Sequence, residues 1–144
     1  MYLTYDEYSH MGGEEMSESA FEQLEFEARS QIDWWTFSRL KKDAERGIEM
    51  PEEVKRCMFK LIELLDKQKK VMLVDAVDED GNVVAGLMAH QSNDGVSATY
   101  NVITGNMAVR VIQSQLNSAI KMYLQDIKDS LGHKVLYRGI YPGE

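Results

Sequence analysis

The sequence predicts a mainly α protein: a small helical bundle of three main helices, with an extended arm or short β-hairpin and an extended C-terminal tail. Three observations carry this. Apolar residues recur at steps of three and four over 19–40, 51–70 and 106–131, the spacing of one helix face. Residues 71–104 hold β-branched residues in short runs and no Lys or Arg, as extended segments do. The last stretch, HKVLYRGIYPGE, mixes Val135, Leu136, Tyr137, Ile140 and Tyr141 with Arg138 and ends at Pro142-Gly143. With 144 residues and 44% hydrophobic content, the chain is expected to fold as one domain, residues 1–144, around a modest core.

Residues 1–18 read as an acidic, extended or turn-rich lead-in. Tyr2, Leu3, Tyr5 and Tyr8 supply anchoring side chains, and Gly12-Gly13 breaks any helix before Ser19. The helical core spans 19–131 and begins with the stretch around which the rest is organised, Ser19–Leu40. Phe21, Leu24, Ala28, Ile32 and Trp35 follow one another at steps of three, four, four and three, one stripe of a helix. Ser19 followed by Glu22 is a capping box that marks its start. Phe26 and Trp34 lie off that stripe, and Phe37 and Leu40 continue apolar contact beyond it, so the helix is expected to be covered from more than one side.

Lys41–Met50 is polar, contains Gly47 and reads as a connection. Pro51-Glu52-Glu53 then suits a helix first turn, where proline lacks only an orphan donor and acids meet the positive pole. Val54, Met58, Leu61 and Leu65 form its stripe, widened by Cys57, Ile62 and Leu64, with Lys67, Lys69 and Lys70 near the negative pole. Cys57 on that apolar face is a packed thiol, not a reactive one.

In the arm, around 71–104, VMLVDAV and VVAGLMA flank Asp78-Glu79-Asp80-Gly81-Asn82. This reads either as a hairpin about an acidic turn or as a continuation of the second helix followed by a loop. A calcium loop starting at Asp78 fails, because its glycine and glutamate positions hold Val83 and Ala89. Asn93-Asp94-Gly95 is a turn signal. Beyond it, Val96, Ala98 and Tyr100 alternate with Ser97, Thr99 and Asn101 as in a strand whose open edge seeks a partner.

The third helix is expected over Asn106–Leu131. Its face holds Met107, Val111, Ala119, Tyr123 and Ile127, flanked by Ala108, Ile112, Leu116, Ile120, Leu124 and Leu131, with Gly132 as the stop. Residues 133–144 then form a docking tail, since five large apolar residues at a terminus call for a surface to cover them.

Residues 1–28 carry eight acids and no Lys or Arg, which accounts for the whole net charge of −8. Such a segment is a solvated acidic face, meets a basic surface or repels an anion. It disfavours DNA binding through that end, where phosphate contacts need cations. No apolar run reaches the ~20 residues of a membrane span, and acid stands where a signal peptide has base. One cysteine excludes an intrachain disulfide framework and fits a reducing compartment. No glycine-rich phosphate loop, HExxH, GxSxG or paired-cysteine pattern occurs, and His10, His90 and His133 are not at metal-ligand spacing. No catalytic activity, metal or cofactor is expected.

Four stretches, taken in order, resemble one family. YLTYDEY and FEQLEFEARSQIDWWTFSRL are similar to the start of phage head–tail connector proteins, the small helical adaptors that form a ring beneath the portal of long-tailed phages. SNDGVSATYN resembles their turn-and-strand stretch after the second helix, and LYRGI their C-terminal end. The resemblance covers Tyr2–Ile140, and the acidic insert Asp75–Asn82 departs from it. It implies about twelve copies joined head to tail in a ring on the portal protein, a heterologous interface closed by symmetry. Genomic DNA would pass through the lumen without sequence-specific binding, and a neck, stopper or tail-completion protein would sit on the ring. The place of action would be the head–tail junction of the virion, after synthesis in the host cytoplasm, with no membrane partner. On this reading Val135, Leu136, Tyr137, Arg138, Ile140 and Tyr141 dock on the portal. Asn93, Asp94, Val96, Ser97, Thr99 and Tyr100 join neighbouring copies. Two other classes stay open: a small acidic antagonist of the DNA-mimic type binding one host partner, and an enzyme whose site matches no motif.

Overall fold

A computed structural model describes residues 1–73, 75–77, 83–85 and 105–143. It is mainly helical: α1 (Tyr5–His10), α2 (Glu18–Trp35), α3 (Arg39–Glu45), α4 (Glu52–Leu73) and α5 (Gly105–Leu124). Between α4 and α5, β1 (Asp75–Val77) and β2 (Val83–Ala85) pair antiparallel, with Ala76 opposite Val84. Both readings of VMLVDAV thus hold in part: its first three residues end α4 and its last three form β1. Asn93–Tyr100, the expected inter-subunit strand, lies outside the described residues.

Helix α4 is the centre of the bundle, packed on α5 and on α2. Val54, Cys57, Met58, Leu61 and Ile62 are buried along it. Burial alone pushes the Cys57 thiol up to about 12, so it stays a protonated, packed group. From α2 come Phe21, Leu24, Ala28 and Ile32, each of the large side chains contributing about 1.5–3 kcal/mol of transfer free energy. The stripe of α5 is Ala108, Ile112, Leu116, Ile120 and Leu124, at uniform steps of four. Of the set expected to lead that face, Ala119 is buried and Tyr123 and Ile127 pack against the core, but Met107 and Val111 are exposed, and so is Leu131.

Three boundaries differ from the sequence expectation, each for a local reason. The lead-in contains helix α1, because Thr4 and Glu7 form a capping box: the Glu7 N–H donates to Thr4 Oγ1 and the Thr4 N–H to Glu7 Oε2. The cap of α2 is Ser17, whose Oγ accepts from the Ala20 N–H, so Ser19 is already helical. Helix α5 stops at Leu124, not at Gly132, because Asp129 organises a tight turn first. Its carboxylate accepts the N–H groups of Leu131 and His133, and Gly132 takes φ +82° inside that turn.

The acidic N-terminal segment lies against the basic band of α4. Lys55 donates to Glu7 at 2.8 Å, Lys70 to Glu14 at 2.6 Å and Lys69 to Glu27 at 2.9 Å. The Lys55 contact and the Thr4 N–H hold the Glu7 carboxyl below its usual range. The Lys69 and Lys70 pairs are exposed and screened by solvent, whereas the Lys55 pair is partly buried.

Candidate functional site

The described surface with most to offer a partner lies where α2 ends, α3 begins and the C-terminal segment returns. Helix α2 closes with Thr36 as cap, and the next two residues adopt left-handed backbone: Phe37 at φ 52° and Ser38 at φ 58°. The Ser38 N–H donates to the Asp33 carbonyl at 2.8 Å and the Phe37 N–H to the Trp34 carbonyl at 3.4 Å. That is a Schellman closure with phenylalanine where glycine ordinarily sits. A bulky residue there costs about 1–2 kcal/mol of backbone strain. The expected single helix over 19–40 is therefore two, and Lys41–Glu45 belongs to α3 instead of a connection.

Helix α3 holds the chain end. The Arg39 side chain, 3% exposed, donates to the carbonyls of Val135 (3.2 Å), Tyr137 (2.6 Å) and Gly139 (2.8 Å), with Lys134 at 3.4 Å. One turn on, Asp43 accepts both the N–H and the hydroxyl of Ser130. Beside these two contacts, the segment is held by the Val135 N–H on the Ile127 carbonyl, a bridge between Lys128 and Lys134 and local turns. A planar guanidinium suits this task because several carbonyls converge on its fork.

The expected docking tail is thus docked in part on its own chain. Val135 is fully buried in the core and Leu136 packs against it, so neither offers itself to a partner. Tyr137 and Ile140 do face outward, Ile140 being 84% exposed. Tyr141 is held inward, stacked on His133 at 4.0 Å with the Arg39 guanidinium 5.1 Å from its ring. Arg138 lies elsewhere, its guanidinium 5.7 Å from the centre of the Trp35 ring.

The aromatic residues at this corner were expected in the core, and three on α2 and just beyond are not. Trp34 is 73% exposed and Phe26 60%, and Phe37 is half exposed. Helix α2 meets α4 with one stripe only, and nothing among the described residues covers its outer side. Trp34 and Trp35 meet edge to face at 5.5 Å. A shallow cleft lies on each side of them. One is floored by Ser30 and Gln31 with Gln113 and Asn117 of α5, the other by Asp33, Phe37, Ser38 and Arg138. Lys121 of α5 adds a second cation, 5.4 Å from the Trp35 ring. Asp33 is tied to the hydroxyl of Tyr2. Burial, then that bond, raises the Tyr2 pKa far above its ordinary value.

The corner thus joins exposed aromatics, two cations and a rigid backbone, the make-up of a protein-contact surface. Among the described residues no group of three or more His, Cys, Asp or Glu is placed to hold a metal ion. No helix among them is long and apolar enough to cross a membrane. The sequence pointed to Tyr137, Ile140 and Tyr141 but missed Trp34 and Phe37 as surface residues. The signal was there, since both fall off the periodic stripe. No family model, curated protein or solved structure matches the chain.

Proposed function

We propose that the protein is a phage head–tail connector, a structural adaptor that assembles as a ring on the portal, lengthens the DNA channel and carries the next neck or tail protein. The order and spacing of the four resembling stretches support this reading, as does a helical fold whose C-terminal segment turns Tyr137 and Ile140 outward. One observation carries it furthest. Arg39 fixes the backbone of residues 134–139 so that Tyr137 and Ile140 project as a preformed anchor at the end where such proteins meet the portal. An anchor held before binding avoids the ordering cost of a loose tail.

The antagonist reading rests on the acidic N-terminal segment and loses weight here. Glu7, Glu14 and Glu27 are engaged by lysines of α4, whereas a mimic of a phosphate backbone needs an unbroken row of anions. The test is co-purification with a portal protein encoded in the same genome. The double variant Tyr137→Ala, Ile140→Asp is expected to melt like the native chain and to be missing from portal complexes. Full occupancy by that variant, or no portal complex with the native chain, overturns the proposal.

A further inference from the structure

The outer side of α2 runs from Glu18 and Glu22 through Phe26 and Ser30 to Trp34, residues about four apart and all exposed. Its two ends are of opposite character. The first half is acidic: Glu18 and Glu22 have no ion-pair partner among the described residues, and Ser19, Glu22, Gln23 and Glu27 surround the exposed Phe26 ring in a shallow cleft. The far end is aromatic and cationic: Lys121 and Arg138 approach the Trp35 ring beside Trp34, and neither has a carboxylate partner among the described residues. In a chain of net charge −8, two cations over a half-buried indole beside the exposed Trp34, with no carboxylate partner among the described residues, are out of keeping with the rest of the surface.

We propose that this face binds a second copy of the chain, the acidic first half of α2 in one copy docking on the Trp34–Lys121–Arg138 corner of another. Charge complementarity identifies the occupant, because one chain carries both halves of the contact. Trp34 supplies the apolar anchor and Phe26 the apolar floor opposite it, while the carboxylates of Glu18 and Glu22 reach the two cations that have no carboxylate partner among the described residues. Like halves repel, so the contact is directional. The inference deepens the ring reading and rests on it only for how many copies join. Arg138 is thereby assigned to the neighbouring copy and not to the portal.

The test is sedimentation of the purified chain alone, from micromolar to near-millimolar concentration at low ionic strength. Mass is expected to rise with concentration, and raising the salt to about 0.5 M should weaken the association severalfold. Two variants separate charge from fold: Lys121→Glu with Arg138→Glu, and Glu18→Lys with Glu22→Lys. All four side chains are exposed, so both variants should keep the native melting temperature. Each alone is expected to associate at least tenfold more weakly. An equimolar mixture is expected to regain native association, because the acidic corner of one variant now meets the basic helix half of the other. A chain monomeric throughout, variants that associate like the native protein, or a mixture that stays monomeric would each overturn the inference. Association that stops at a dimer supports the contact but counts against the ring, since two antiparallel α2 faces close on themselves.

Discussion

Tyr8 and Trp34 are aromatic residues at opposite ends of the same structural problem. Tyr8 sits over the start of α2, 5.3 Å from both Phe21 and Phe59, and is buried. Trp34 sits at the other end of α2 and points to solvent. Around Tyr8 the chain spends its devices on closure: a capping box, a glycine pressed on the ring and lysines that answer the local acids. Around Trp34 it does the reverse, leaving the Trp34 and Phe37 rings exposed, two cations without a carboxylate partner among the described residues and backbone in a costly conformation. Aromatic content alone therefore says nothing about burial. What separates the two corners is whether rings and charges are covered within the chain, and coverage at Tyr8 goes so far that its buried hydroxyl has no hydrogen-bond partner among the described residues.

The contrast is broken most directly by truncating one ring at each end. Phe21→Ala is expected to cost about 3–5 kcal/mol, as loss of a fully buried ring does. Trp34→Ser should fall within about 0.5 kcal/mol of the native chain. Urea unfolding of the two variants checks both figures. A cost above about 1.5 kcal/mol for the tryptophan would mean that it is part of the core.

Arg39 is the next largest expected effect, because the open corner stands on it. Arg39→Met leaves the Val135 and Tyr137 carbonyls without their donor and is expected to cost about 3 kcal/mol. Arg39→Lys should recover only part, since one ammonium cannot span the fork. Removing everything after Lys134 is expected to lower stability by a similar amount, through lost burial of Val135 and loss of the Val135, Tyr137 and Gly139 carbonyls that Arg39 binds. If truncation leaves the melting temperature unchanged, the tail is a docking element outside the core, as its composition suggests.

How far the sequence could be read follows the same division. Residues whose partners lie on their own helix were legible: the stripes of α2 and α4, the Pro51 start and the packed Cys57. The α5 face was found but drawn too wide at its start, because Met107 and Val111 are as apolar as the residues beside them and spacing alone did not rank them. Arg39 and Asp43 were not legible as a clamp. Their partners are 87 to 100 residues away, and LKKDAE reads locally as a polar connection. The candidate corner was half legible. Its tail residues stood out by composition, whereas Trp34 and Phe37 were assigned to a core that covers only one side of α2.

Glycines at the two ends give a smaller, sharper contrast. A Cβ on Gly13 would lie 2.3 Å from the Tyr8 ring, so Gly13→Ala forces that ring out of its packing at about 2 kcal/mol. Gly132 has φ +82° but nothing within 4 Å of a Cβ, so Gly132→Ala costs only the backbone term, about 1 kcal/mol. Thermal unfolding of the pair separates crowding from conformation, and equal losses would refute the close approach at Tyr8.

The smallest expected effect bears on why the open corner is built as it is. Phe37 occupies the left-handed position that closes α2, where glycine fits without strain and phenylalanine does not. Two substitutions divide its role. Phe37→Ala removes the ring, including its contact 5.4 Å from the Arg39 guanidinium, but keeps a Cβ in the strained region. Phe37→Gly removes both. If the strain is real, the glycine variant should be the more stable of the two by about 1 kcal/mol in equilibrium unfolding. It should also match or slightly exceed the native chain, because a half-exposed ring contributes little burial. Both variants should lose whatever binding the corner provides. A glycine variant less stable than the alanine one would show that the position carries no strain. One that binds as well as the native chain would show that the ring has no part in docking, leaving the cost of Phe37 unexplained. Stability that rises as binding falls is the outcome expected of a residue kept for its partner.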